Sequence, residues 1–147
     1  MGIYYGGEAS MMISTKGRYA LRVMLELAAH GDGYLSLKEV AVSQDISMKY
    51  LEAIAALLNR AGLVRSQRGK DGGYQLTRPA REITVGEILR AAEGTLAPVA
   101  CPSLGGNACQ RAEECLTLPL WRALDKKIDD CLSTVTLEDL LQGRVEV

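Results

Sequence analysis

Cys101, Cys109 and Cys115 are crowded into fifteen residues, in the run Cys101-Pro-Ser-Leu-Gly-Gly-Asn-Ala-Cys109-Gln-Arg-Ala-Glu-Glu-Cys115. Nothing in this run has the periodicity of a helix or a strand. A glycine-rich loop gains little from three thiols as packing residues, and much from them if a metal or cluster ties it down. The gaps are seven and five residues, with no Cys-x-x-Cys pair, the knuckle that structural zinc prefers. Wide spacing suits an iron–sulfur cluster, whose irons spread the ligands apart, and a two-iron cluster is preferred here over a four-iron one. Three thiolates leave the fourth ligand to come from elsewhere. Structural zinc, a thiol switch without iron, a disulfide within the loop and three idle thiols are the alternatives. Cys131 falls on the apolar stripe of a later helix and is assigned to packing. His30, the only histidine, closes the first helix as a surface cation.

A second constellation lies upstream. Ser47, Lys49, Tyr50 and Glu52 form the first exposed turn of a helix that follows another after a very short turn. In a helix-turn-helix this turn points into the major groove. Ser47 can bond a phosphate or a base edge, Tyr50 a phosphate, and Glu52 can accept from a cytosine amino group. Arg68 and Lys70 sit in the glycine-rich stretch Arg68-Gly-Lys-Asp-Gly-Gly, the tip of a wing from which a guanidinium can enter a narrow minor groove. The bland alternative is a winged helix that serves as a protein-interaction scaffold.

Elements to position these groups can be read along the chain. Thr15 is expected to cap a first helix whose apolar face is Ala20, Val23, Met24, Leu27 and Ala28, with Gly31 as its stop. Ser36-Leu-Lys-Glu39 is a capping box for a short helix to about Gln44. Asp45 and Ile46 turn the chain, and Ser47 caps Met48 to about Ala61, with Leu51, Ile54, Leu57 and Leu58 as the buried side. Leu63–Gln67 and Tyr74–Leu76 are the strands of the wing. Thr84-Val-Gly-Glu87 opens a further helix that ends at Gly94, and Thr136-Leu-Glu-Asp139 a short terminal one. Between these, Leu120, Leu124, Ile128 and Leu132 repeat at helical spacing, and a stripe so far from the main core calls for a second copy of the same helix. The expected fold is mainly α: a winged helix-turn-helix with a two-stranded wing and a long C-terminal dimerisation helix. The expected domains are an extension or tag at 1–11, the DNA-binding domain at 12–95, the cysteine sensor loop at 96–119, and the dimerisation and C-terminal helices at 120–147.

At 147 residues with 48% hydrophobic side chains, one aliphatic core is supported, without Phe and with a single Trp. The net charge of −1 conceals an asymmetry. Residues 12–81 hold eleven Lys/Arg against six Asp/Glu, and residues 82–147 hold six against eleven. That suits a nucleic-acid reader joined to a regulatory or dimerisation part. No apolar run reaches the ~20 residues of a membrane span, and the start is not a secretion signal. A cytoplasmic protein with reduced cysteines is expected. No base–nucleophile pair or phosphate loop is present, so an enzyme is not expected.

Four stretches together carry a resemblance: Ser14-Thr-Lys-Gly-Arg-Tyr-Ala-Leu-Arg22, Ile46-Ser-Met-Lys-Tyr-Leu-Glu52, Arg68-Gly-x-x-Gly-Gly-Tyr74 and Cys115-Leu-Thr-x-x-Leu-Trp121. They strongly resemble the IscR-like iron–sulfur cluster regulators, over nearly everything from Met11 to Leu141. The resemblance implies a homodimeric winged-helix repressor or activator on a double-stranded DNA operator. It implies long helices crossing between subunits and a cluster near the dimer interface. DNA contacts carry over to Ser47, Tyr50, Glu52 and Arg68, and cluster ligands to Cys101, Cys109 and Cys115. The chain departs from the pattern at the fourth ligand. The best-known members have a histidine three residues after the last cysteine, where this chain has Leu118. The nitric-oxide-sensing relatives use an aspartate near the N-terminus, where this chain has Arg18 and Tyr19. The loop between the first two cysteines is also two residues longer than in the histidine-bearing members. A relative that represses cysteine metabolism lacks the three-cysteine loop, and the three cysteines here argue against its mode of sensing.

Overall fold

A computed structural model describes residues 13–101, 104, 109 and 111–146. The expected extension at 1–11 lies outside the described residues. In chain order the elements are α1 (Thr15–His30), α2 (Leu37–Gln44), α3 (Met48–Arg60), β1 (Val64–Gln67), β2 (Gly73–Leu76), a 3-10 turn (Ala80–Glu82), α4 (Val85–Glu93), α5 (Leu118–Thr134) and α6 (Leu137–Leu141). This is a mainly helical winged helix-turn-helix with a two-stranded antiparallel wing. Among the described residues no helix is long and apolar enough to cross a membrane.

Most helix starts are written locally. Reciprocal capping boxes join Ser36 to Glu39, Thr84 to Glu87 and Thr136 to Asp139, and the Ser47 side chain accepts from the Tyr50 N–H. Each such cap is worth about 1 kcal/mol. The expectation for α1 is corrected. Its N-cap is Ser14, not Thr15, and Ser14 makes no side-chain cap of its own. The exposed amides are met instead by a carboxylate from α4. Between α2 and α3, Asp45 turns left-handed at φ 53° and its N–H donates to the Ala41 carbonyl. That residue makes the short turn between the two helices.

The core is aliphatic. Met24 of α1, Val40 of α2, Leu51, Ile54 and Leu58 of α3, Ile83, Ile88 of α4 and Leu137 of α6 are fully buried together. On α1 the expected face is buried except Ala28, which is half-buried, and on α3 Leu57 is likewise only half-buried. The wing pairs Val64 with Leu76 and Gln67 with Gly73. Leu35 adds a bridge on the other edge of β2, exchanging backbone hydrogen bonds of 2.9 Å with Tyr74. This bridge explains the glycine after the turn: at Gly73 φ is +149°, and a Cβ there would lie 2.3 Å from the Leu35 carbonyl oxygen.

α5 packs on α4. It begins at Leu118, two residues ahead of the expected boundary, because Pro119 is tolerated in a first turn whose amides are unpaired anyway. The expected apolar stripe is split. Leu120 and Leu124 are exposed, at 58% and 39%, whereas Leu132 packs with Val85, Leu89 and Leu96, and Ile128 lines the cleft between α4 and α5. Four-residue steps drift about 40° each on a helix of 3.6 residues per turn. From Leu120 to Leu132 the stripe therefore wraps about a third of the way round α5. The same geometry puts Cys131 near the Leu120 line, and it is exposed rather than packed.

Candidate nucleic-acid interface and cysteine loop

The turn at the start of α3 presents Ser47, Lys49 and Glu52 to solvent. Capping occupies only acceptor capacity of the Ser47 hydroxyl, at 3.2 Å from the Tyr50 N–H, so its proton remains available to a phosphate or base. Tyr50 is half-buried. Its ring meets Tyr19 of α1 edge-on, at 5.6 Å between centroids and 86° between planes. The Arg22 guanidinium lies 5.1 Å above the Tyr19 ring. It also donates to the Gln44 backbone carbonyl at 2.6 Å and side-chain oxygen at 2.9 Å. This chain of contacts joins α1, α2 and the start of α3. No sequence pattern signals it, because Tyr19 and Tyr50 are thirty-one positions apart. Arg68 and Lys70 are exposed between β1 and β2, as the glycine-rich tip implies.

The ion pairs lie away from the start of α3 and the wing tip. Among the described residues Lys49, Arg68 and Lys70 enter no ion pair, whereas Arg90 pairs with Asp129, Lys126 with Asp130, and Arg144 with Glu138 and Asp139. Cations left unpaired on the helix start and wing tip are free to displace counterions from a phosphate backbone.

The loop after α4 holds three free, half-buried cysteines. The Cys101 carbonyl accepts from the Leu104 N–H at 3.0 Å, and the Cys109 carbonyl from the Ala112 N–H at 3.1 Å. Cys115 lies just before α5, with its sulfur 3.4 Å from the Thr117 hydroxyl. That hydroxyl, with the N–H groups of Thr117 and Leu118, holds the Cys115 thiol below the ordinary thiol range. Leu118 is 3% exposed and serves as a core residue. Among the described residues no three His, Cys, Asp or Glu side chains gather closely enough to hold one metal ion. Three thiols are soft donors of the kind that hold a thiolate-bound centre, and one of them lies below the ordinary thiol range. The described residues do not bring the donors together, and position 118 supplies none.

A family model described as an iron-dependent transcriptional regulator, Rrf2, matches residues 13–143. The regulator IscR of Pectobacterium carotovorum is 38% identical over 135 residues, covering 91% of this chain and 81% of the relative. Among solved structures, CymR, the global cysteine regulator of B. subtilis, is 40% identical with a TM-score of 0.73, covering 89% of this chain and 96% of CymR. IscR of T. potens is 37% identical with a TM-score of 0.69, covering 92% of this chain and 89% of that one. These relatives are regulators and not enzymes, and with the match spanning both the winged helix and the cysteine loop, this chain belongs to the Rrf2 family of DNA-binding transcriptional regulators.

Proposed function

We propose that this regulator works as a homodimer whose operator binding is set by a thiolate-held iron–sulfur cluster on the loop between α4 and α5. The observation that carries the reading is the loop itself: three half-buried free thiols, one with its anion favoured at the root of α5. In this reading Cys101, Cys109 and Cys115 supply three ligands. The fourth comes from outside position 118, because a buried leucine has no lone pair to offer. A cluster held there would supply iron that oxygen or nitric oxide can attack, with a two-iron cluster preferred to a four-iron one. Ser47, Tyr50 and Glu52 read the major groove, Arg68 enters a minor groove, and Lys49 and Lys70 meet phosphates. Leu120 and Leu124 form the open part of the dimer seam, and each contributes about 1.5–3 kcal/mol if fully buried by a second copy. Ile128 and Leu132 contribute to that seam only by holding α5 against α4.

Anaerobic purification with a visible spectrum and iron, sulfide and zinc analysis tests this directly. Brown protein holding iron and sulfide supports the cluster. Colourless protein holding zinc in the same loop overturns it in favour of structural zinc. Metal-free protein whose DNA affinity follows thiol oxidation overturns it in favour of a thiol switch.

A further inference from the structure

We propose that Glu93 is a positioning residue: one oxygen of its carboxylate ties the root of the cysteine loop to the first turn of α1 and passes the state of the loop to the DNA reader. The proposal rests on the sensing function above, and deepens it.

The helix α1 has no cap of its own, although its first amides need acceptors. The Glu93 Oε1 atom fills that role from across the fold. It accepts from the Ser14 N–H at 2.9 Å, the Ser14 hydroxyl at 2.7 Å and the Gly17 N–H at 2.9 Å. A carboxylate at a helix N-terminus is also favoured by the helix dipole. The other capped helices with a serine or threonine N-cap, α2, α3, α4 and α6, take their acceptor from within their own first turn. Gly17 is part of the same device. It is buried, and a Cβ there would lie 2.4 Å from the Glu93 oxygen and 3.2 Å from a Leu89 methyl carbon. A glycine weakens a helix and is justified where another group must come close, and here the carboxylate does.

Placement gives this tie its meaning. Glu93 is the last residue of α4, and Gly94 follows it as the first residue of the segment leading to Cys101. On the other side, the same stretch of α1 exposes Lys16 and Arg18, and directly after them Tyr19 meets Tyr50 of α3. A displacement at the loop root thus reaches the start of α1 through the Glu93 oxygen, beside the packing of α4 on α1, and the pose of the α3 start through Tyr19.

The test is a double-mutant cycle on the full chain without metal: wild type, Glu93→Ala, Gly17→Ala and the pair. Affinity is read by fluorescence anisotropy on a duplex enriched by the wild-type protein from a random-sequence pool. Each single change should weaken binding about tenfold, the scale of one charge-assisted hydrogen bond. The double variant should be little weaker than Glu93→Ala alone, since the methyl group added at position 17 then displaces no carboxylate and meets only the end of the flexible Leu89 side chain at 3.2 Å. Glu93→Gln, which keeps an acceptor oxygen, should restore most of the affinity. The same proteins are then reconstituted with iron and sulfide, and the ratio of loaded to metal-free affinity is compared. That ratio should fall towards one in Glu93→Ala and persist in Glu93→Gln, a difference that a purely structural role would not produce. Additive losses in the cycle, or an unchanged ratio in Glu93→Ala, overturn the proposal. If Gly17→Ala does not fold, a folded double variant supports the tie and an unfolded one overturns it. A wild-type ratio of one instead removes the sensing function on which coupling depends, and with it the coupling, while the metal-free cycle still decides whether the tie exists.

Discussion

The reader, α1 to α4, and the arm, from Gly94 through α5, are held together by different means. In the reader, capping boxes, a left-handed turn at Asp45 and a fully buried aliphatic core all specify one arrangement. In the arm, Leu96 and Leu118 are buried, while Leu116 is 95% exposed and Leu120 and Leu124 face solvent. The three cysteines are half-buried and unbridged. The reader is held by a buried core that Leu137 of α6 completes, whereas the arm leaves large apolar side chains open to solvent, where the proposed second copy and cluster would add contacts. A segment with few buried contacts of its own is the kind that a ligand can reorganise.

Core truncation should expose this contrast most strongly. Ile54→Ala should cost about 2–5 kcal/mol of folding stability, read by chemical denaturation. Leu124→Ala should leave the stability of the monomer within about 0.5 kcal/mol, so equal losses at the two sites would abolish the distinction. Leu124→Asp should give monomers in sedimentation, because the seam would have to bury an unpaired carboxylate. Ile128→Asp should instead loosen α5 from α4 and lower the melting temperature. If Leu124→Asp remains dimeric, the exposed leucines are not the seam. On the reader, Arg68→Ala should weaken specific binding by about 1–3 kcal/mol. Lys49→Ala should weaken binding to all sequences alike and flatten its salt dependence. Unchanged affinity in an Arg68→Ala titration would remove the wing from the interface.

Legibility in the sequence follows the same division. Elements whose cause is local can be read: Ser36 with Glu39, Thr84 with Glu87, the Asp45 turn, and the turn glycines Gly69 and Gly72. Features with a distant cause cannot. Thr15 looks like the cap of α1 because the true acceptor is Glu93, seventy-six positions beyond Gly17. The only local trace of that arrangement is a glycine in a helix's first turn, which signals close approach without saying of what. The stripe of α5 resembles one face because steps of four look continuous on paper, although they wind round a straight helix. The cysteine loop is legible as a donor set and not as a geometry, since spacing alone does not fix how three thiols meet.

The smallest expected effect concerns Cys115. With its thiol held low by the Thr117 hydroxyl and the N–H groups of Thr117 and Leu118, its reactive thiolate should persist above that lowered pKa and be lost as pH falls through it. Thr117→Val removes one donor and should move the midpoint of alkylation by iodoacetamide to higher pH, followed by peptide mass spectrometry. An unmoved midpoint would show that the hydroxyl does not stabilise the anion.

The central claim is that the arm governs the reader through its cysteines. It is tested most directly by DNA affinity before and after anaerobic loading with iron and sulfide, in wild type and in Cys101→Ala, Cys109→Ala and Cys115→Ala. The expected result is a changed affinity for loaded wild type, with cluster content and that change lost together in each variant. Full cluster content in all three variants, or loaded wild type that binds DNA as the metal-free protein does, would contradict it.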